Sequence, residues 1–266
     1  MTSTILLLPA LSLCHRELIR FLRQRSRIIG ALVTPLVFWL LIGGGLGRSF
    51  RAEGLPDGTN FIQYFFPGTV LMILLFTAIF STISIIEDRK EGFLQGVLVA
   101  PVPRMAIVLG KVLGGTVLAF GQGLLFLLLA PTVGIKLTFS SVLITMLVML
   151  LVAFALTALG FCIAWRMSST QGFHAIMNLF LMPMWFLSGA LFPASGAMGG
   201  LGWIMRLNPL TYGLAALRRA MYWNDSPAST TMPPLWLSLG VTVLFAIVMI
   251  ALASVIARKT TAGDLQ

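Results

Sequence analysis

Charge is what this sequence has least of. Lys and Arg number 18 and Asp and Glu only 8 in 266 residues, 10% of the chain, where an average globular protein carries about 25%. Hydrophobic residues make up 58%. A soluble domain of this length has too little polar surface to cover so much apolar area. The composition excludes a soluble protein and predicts one all-α polytopic membrane domain over residues 1–266.

Reactive side chains are equally sparse. Two cysteines, Cys14 and Cys162, lie far apart and make no metal-type spacing. Both fall in or near segments placed towards the cytoplasm, which disfavours a disulfide. The two histidines, His15 and His174, stand alone. There is no paired-carboxylate site, no Cys/His cluster and no nucleophile elbow. Gly110-Lys111 is no phosphate loop, because Met105 stands where the leading glycine belongs and Val112 where Ser or Thr belongs. The expectation is therefore a non-enzyme with no catalytic residue, no metal and no cofactor of its own. Nor does the amino end read as a signal peptide: no positive charge precedes the apolar run ending at Cys14, and bulky Leu13 sits where a small residue would precede a cut.

The long uncharged runs predict six spans, at about 28–47, 61–86, 112–135, 137–165, 172–192 and 233–257. Each is long enough to cross about 30 Å at 1.5 Å per residue. Gly110 and Gly114 make a small-xxx-small packing face. No span, so placed, carries an Asp, Glu, Lys or Arg in its interior. Ahead of the first lies an amphipathic helix over 11–27. Leu11, Cys14, Leu18, Phe21 and Leu22 fall on one side, and Arg16, Arg20, Arg23 and Arg27 on the other. This pattern suits a helix in the headgroup plane with its arginines on lipid phosphates. Arg48 to Asn60 is a polar loop. Between the fifth and sixth spans, Asn208-Pro209 starts a helix too short to cross, flanked by Trp203, Tyr212, Tyr222 and Trp223. It reads as an interfacial or re-entrant hairpin on the outer face.

With both termini inside, Lys and Arg divide 12 inside to 6 outside, the bias expected of cytoplasmic loops. The net charge of +10 then points to anionic lipid and not to nucleic acid.

One stretch does not fit a purely membrane role. Glu87-Asp88-Arg89-Lys90-Glu91-Gly92 is a dense charge run between apolar segments, followed by Phe93, Leu94, Val97 and Leu98 at helical spacing and stopped by Pro101 and Pro103. It reads as a short amphipathic cytoplasmic helix over 87–100. Ion-coupled carriers need ionisable groups within the membrane. A transporter without such groups, and without a phosphate loop, must borrow its energy from a soluble partner, and this helix is where the partner would grip. A self-contained carrier or channel, or a membrane scaffold subunit, are the alternatives. Each predicts a chain that works without an ATPase.

The motifs Phe66-Pro67-Gly68, Glu87 to Gly92, Ala100-Pro101-Val102-Pro103 with Leu109-Gly110-Lys111, Leu187-Ser188-Gly189 to Pro193, and Leu207 to Tyr212 together resemble the type-2 ABC exporter permeases. The daunorubicin-type drug exporters are the nearest in look; nodulation-factor and polysaccharide exporters are more distant. The resemblance covers nearly the whole chain. It implies a coupling helix between spans two and three, a re-entrant hairpin before span six, and two permease subunits, alike or different, with two soluble ATP-binding subunits that supply the ATP. It implies export across a bacterial cytoplasmic membrane, with a substrate path at the subunit seam near spans one, two and five. Thr77, Gln122 and Asn178 are candidate polar groups on that path for an amphipathic drug, lipid or glycolipid.

Overall fold

The computed structural model describes residues 2–46, 60–192, 200–223 and 232–258. Among them there are helices and turns but no strand. In chain order the helices are α1 (Thr2–Arg23), α2 (Arg25–Leu46), α3 (Phe61–Lys90), α4 (Phe93–Val99), α5 (Arg104–Leu127), α6 (Phe139–Ala164), α7 (Thr170–Ala190, partly π-helical), α8 (Gly200–Leu207), α9 (Pro209–Met221) and α10 (Leu235–Arg258). Six of these, α2, α3, α5, α6, α7 and α10, are long and apolar enough to cross a membrane. The polar loop expected up to Asn60 lies outside the described residues apart from Asn60 itself, as do residues 193–199 and 224–231 of the expected outer hairpin and Lys259 in the tail.

Three span boundaries move from their predicted places. The second span does not stop at residue 86, because α3 continues through Glu87 to Lys90. The third does not begin at 112. Pro103 is the residue before α5, which starts at Arg104 and ends at Leu127, followed by one 3-10 turn, Ala130–Val133, and Gly134 at φ 82°. Charged residues therefore lie inside long helices after all: Asp88 in the last turn of α3, and Lys111 in the second turn of α5. They are tolerated because they face each other.

Helix α3 is the axis of the bundle. Its 30 residues extend about 45 Å at 1.5 Å per residue. Phe65, Phe66, Leu71, Met72, Ile73 and Leu74 are wholly enclosed. Helices α2, α5 and α6 pack round it, α10 packs on α6 and α9, and α1 lies along α5. Small residues permit the closest approaches, as membrane helices require. A Cβ on Gly115 would overlap Ser81 Oγ of α3 and come within 2.5 Å of Thr157 Cγ2 of α6. Gly115→Ala must push three helices apart, and a loss of about 1–3 kcal/mol is expected, read as a lower unfolding temperature in detergent.

At the end opposite Asp88, two of the sequence motifs meet. Trp185 Nε1 donates to Gly68 O (2.9 Å), and Tyr64 Oη donates to Gly189 O (3.1 Å). Gly189 sits at φ 89°, the left-handed region that favours glycine. Asn208 caps α9 by accepting from Leu210 N (3.0 Å) and donates its Nδ2 to Met184 O (2.6 Å). Pro209 occupies the first turn, as the sequence predicts. Arg218, placed by its sequence in an interfacial hairpin, is only 2% exposed. It lies over the Tyr64 ring at 4.1 Å and donates to Tyr64 O and Gly189 O. Cation–π contact and two carbonyls offset the removal of its charge from water.

Candidate functional site

The site begins with the way α1 is seated. Hydrophobicity pointed to Leu11, Cys14, Leu18, Phe21 and Leu22 as its packed face. Instead the buried stripe is Ala10, Leu13, Glu17 and Phe21, while Leu11 and Leu22 are exposed. The helix also starts at Thr2 and ends at Arg23, earlier than the predicted 11–27. Gly110 and Gly114 of α5 form the seat. A Cβ on Gly110 would stand 2.7 Å from Leu13 Cβ and 2.9 Å from Ala10 O, and one on Gly114 would stand 2.8 Å from Glu17 Cβ. The small-residue face read from the sequence is thus the surface that receives α1.

This seating carries Glu17 and two arginines onto the charge run. Asp88 is fully buried. Arg16 grips it in bidentate fashion, Nη2 to Oδ1 at 2.7 Å and Nη1 to Oδ2 at 2.9 Å. Arg20 and Lys111 also donate to it. Lys111 Nζ donates further to Glu17 Oε1 at 2.6 Å and Ser84 Oγ at 3.3 Å. Arg20 Nη2 reaches Glu87 Oε2 (3.1 Å) and Glu91 Oε1 (2.9 Å). The Arg16 guanidinium lies 3.5 Å over the Phe93 ring of α4. One cluster thereby ties α1, α3, α4 and α5 together. Burial works against the Arg16 charge, but the bond to Asp88 and the fields of Asp88, Glu17 and Glu91 outweigh it, so its pKa lies above the ordinary arginine value. In α1 itself, burial and then the charge of Glu17 push the Cys14 thiol up.

The other members of the run divide by role. Arg89 turns away, donating to Trp165 O and to Met167 O (2.9 Å) at the carboxyl end of α6. Those carbonyls have no helical partner and carry the negative end of the helix dipole. Lys90 and Glu91 are exposed, Glu91 at 59%. Gly92, at φ 76°, breaks the helix so that Phe93–Val99 can form α4. The predicted single helix over 87–100 is therefore two pieces, the last turn of α3 and the short α4. Between α1 and α4 lies a mostly apolar notch of about 340 Å³, walled by Pro9, Ser12 and Leu13 on one side and Gly96, Val97 and Ala100 on the other.

Arg16 and Arg20 thus bind carboxylates where the sequence suggested lipid phosphates. Arg23 is exposed; the Arg27 side chain lies outside the described residues. Glu17 and Lys111 were absent from the sequence-derived set. The signal that could have found them is that Glu17 is the one acid in an arginine-rich helix, and that Lys111 sits on the same small-residue face that needs a partner. Of the candidate path residues, Thr77 donates to Gln122 Oε1 and both are buried between α3 and α5. Asn178 is exposed on α7, apart from that pair.

Six helices long and apolar enough to cross a membrane, with an amino-terminal helix locked to them by buried ion pairs, are the architecture of a polytopic membrane protein. The chain belongs to the family described as ABC-2 type transporter, which matches residues 10–222. It is 29% identical over 210 residues to a protein of Cyanophora paradoxa named as a transport permease, ycf38, covering 77% of this chain and 71% of that one. Nodulation protein J of Sinorhizobium fredii is 29% identical over 198 residues, 74% of each chain. The inner membrane transport permease YadH of Escherichia coli is 23% identical over 228 residues, 83% of this chain and 86% of its own.

Proposed function

We propose that this chain is the membrane subunit of an ATP-driven exporter. It sits in the cytoplasmic membrane of a bacterium with both termini inside. It works with a second permease subunit and a separate soluble ATP-binding subunit, and it moves an amphipathic substrate outward. It binds no cofactor itself, and ATP acts through the partner. The observation that carries this reading is the cluster round Asp88. Lys90, Glu91 and the outer face of α4 are presented to solvent, and immediately behind them the buried charges join α1, α3 and α5. A load applied to α4 or α1 is passed to two membrane helices through ion pairs that are short and enclosed. The exposed members give register to a reversible contact, which is what charges at an interface supply best.

The test is capture of the tagged chain from its native membrane in mild detergent, with mass spectrometry of what accompanies it. A soluble protein with a phosphate loop is expected at equal stoichiometry. The paired reversal Lys90→Glu with Glu91→Lys should lower its capture on the order of tenfold while the chain still inserts, since interfacial charge pairs couple by a few kcal/mol. ATP-independent flux through vesicles containing this chain alone would overturn the reading.

A further inference from the structure

The ion cluster round Asp88 holds α1, α3, α4 and α5 together, and its bonds do not extend to α6 or α7. Arg89 crosses to them. From the last turn of α3 its guanidinium donates to Trp165 O and Met167 O, and it lies 5.9 Å from the centre of the Trp165 ring. Trp165 is buried and stacked on Phe161, ring centres 5.0 Å apart. The turn from α6 to α7 is thereby pinned one side chain's length from Lys90. Its backbone is closed at both ends. Arg166 N donates to Ile163 O (3.3 Å) and Met167 N to Ala164 O (3.1 Å), and Ser169 Oγ accepts from Gly172 N (3.3 Å) to cap α7. A turn held this way loses little further freedom when something binds it. What it shows to solvent is Arg166, Ser168 and Ser169. The acids among the described residues are Glu17, Glu87, Asp88 and Glu91, and none of them pairs with Arg166.

We infer that the turn 166–169 is a second docking point for the ATP-binding subunit, and that Arg166 meets a carboxylate there. The inference rests on the export reading above. Three observations favour that occupant. Through Arg89 the turn is continuous with the Lys90 and Glu91 surface that the same partner is proposed to grip. Its exposed cation has no acid of its own, and an arginine fork matches a carboxylate in bidentate fashion. Lastly, the turn offers no aromatic or aliphatic group to a bilayer. Trp165 is 4% exposed and Met167 is half-buried, whereas segments that anchor among lipid head groups turn such side chains outward. The second point has a mechanical consequence. A push on α4 reaches α1, α3 and α5 through the Asp88 cluster. A push on the turn reaches the end of α6 and the start of α7 directly. Both sides of the bundle then move in register, with Arg89 fixing the distance between the two points.

The test uses the full chain in its native membrane. Arg166→Glu should lower capture of the ATP-binding subunit in mild detergent on the order of tenfold, the scale of a reversed interfacial charge pair. Arg166→Lys keeps the charge and loses only the fork, and should lower it by about threefold at most. The unfolding temperature of the chain alone should not change, since Arg166 is exposed; a lower one in Arg166→Glu would make Arg166 a contact of the fold and overturn the pairing. In parallel, Ser168→Cys in a background of Cys14→Ala and Cys162→Ala carries benzophenone maleimide, with Leu252→Cys on the exposed side of α10 as control. Irradiation should join position 168 to a soluble protein with a phosphate loop and position 252 to lipid. Full capture by Arg166→Glu overturns the pairing of Arg166. Lipid adducts alone at 168, or none, overturn the docking point. Either result leaves the export reading standing so long as the unaltered chain captures an ATPase. If the unaltered chain captures none, the export reading falls and this inference with it.

Discussion

Asp88→Ala will remove most of the folded protein from the membrane. The carboxylate is fully buried and serves Arg16, Arg20 and Lys111 at once. Breaking a buried ion pair by deleting one partner costs about 3–5 kcal/mol, because the other charge is left buried and unpaired. Here three cations lose the group between them, and Glu17 remains within reach only of Lys111 and, at 3.2 Å, of Arg16. Lys111→Met is the informative contrast. It leaves Asp88 with both arginines and replaces the lysine stem by a side chain of similar length and apolar character. The expected order is therefore a severe loss for Asp88→Ala and a distinctly smaller one for Lys111→Met. Yield of monodisperse protein and unfolding temperature in detergent read the difference. Equal losses would mean that Lys111, and not Asp88, is the centre of the cluster.

The six crossings were legible because uncharged runs of about 20 residues have few other uses. The start of α9 was legible for a local reason, an asparagine cap followed by proline. The seating of α1 was not, and the reason is the solvent. In water the apolar face of a helix is its packed face. Beside lipid that inference fails, because Leu11 and Leu22 are as well placed facing outward, while Glu17 faces inward to meet Lys111. The charge run reads as a grip for a soluble partner, and not as a lock inside the fold, for a related reason. Its partners are 68 and 72 residues away in α1 and 23 residues away in α5, and no local pattern reveals them. The same pairing explains the late end of α3 and the early start of α5, since both extend past their apolar stretches where the charges they carry neutralise one another. What remained visible as a surface feature, Lys90 and Glu91, is a small part of the run.

These observations separate two roles that the sequence had merged. The buried part of the run holds α1 to the bundle, and the exposed part is left for recognition. Charge pairs taken out of water are poor sources of net stability when compared with apolar packing, yet they do fix one geometry. In the proposed cycle that is the useful property. A cytoplasmic push must arrive at α3 and α5 as a displacement in a set direction, and an arginine fork on a buried carboxylate transmits direction better than a greasy contact.

Gly110→Leu should therefore separate hydrolysis from transport more than any other single change. The substitution leaves all members of the ion cluster in place. It acts on the seat beneath α1, where even a Cβ would stand 2.7 Å from Leu13 Cβ and 2.9 Å from the Ala10 carbonyl. Backbone cannot yield as a flexible side chain can, so α1 must lift from α5. Lifting it lengthens the bonds from Arg16 and Arg20 to Asp88 and from Lys111 to Glu17 together, without leaving any single charge bare. The bundle of α3, α5 and α6 is untouched, and the chain should insert and still capture the proposed ATPase through Lys90, Glu91 and α4. Transport per ATP hydrolysed should fall on the order of tenfold, within the range of coupling energies between linked sites. Reconstituted complexes, assayed for phosphate release and substrate accumulation side by side, give that ratio directly. If hydrolysis and transport decline in step while assembly is normal, α1 is a passive anchor and the load passes through α4 alone.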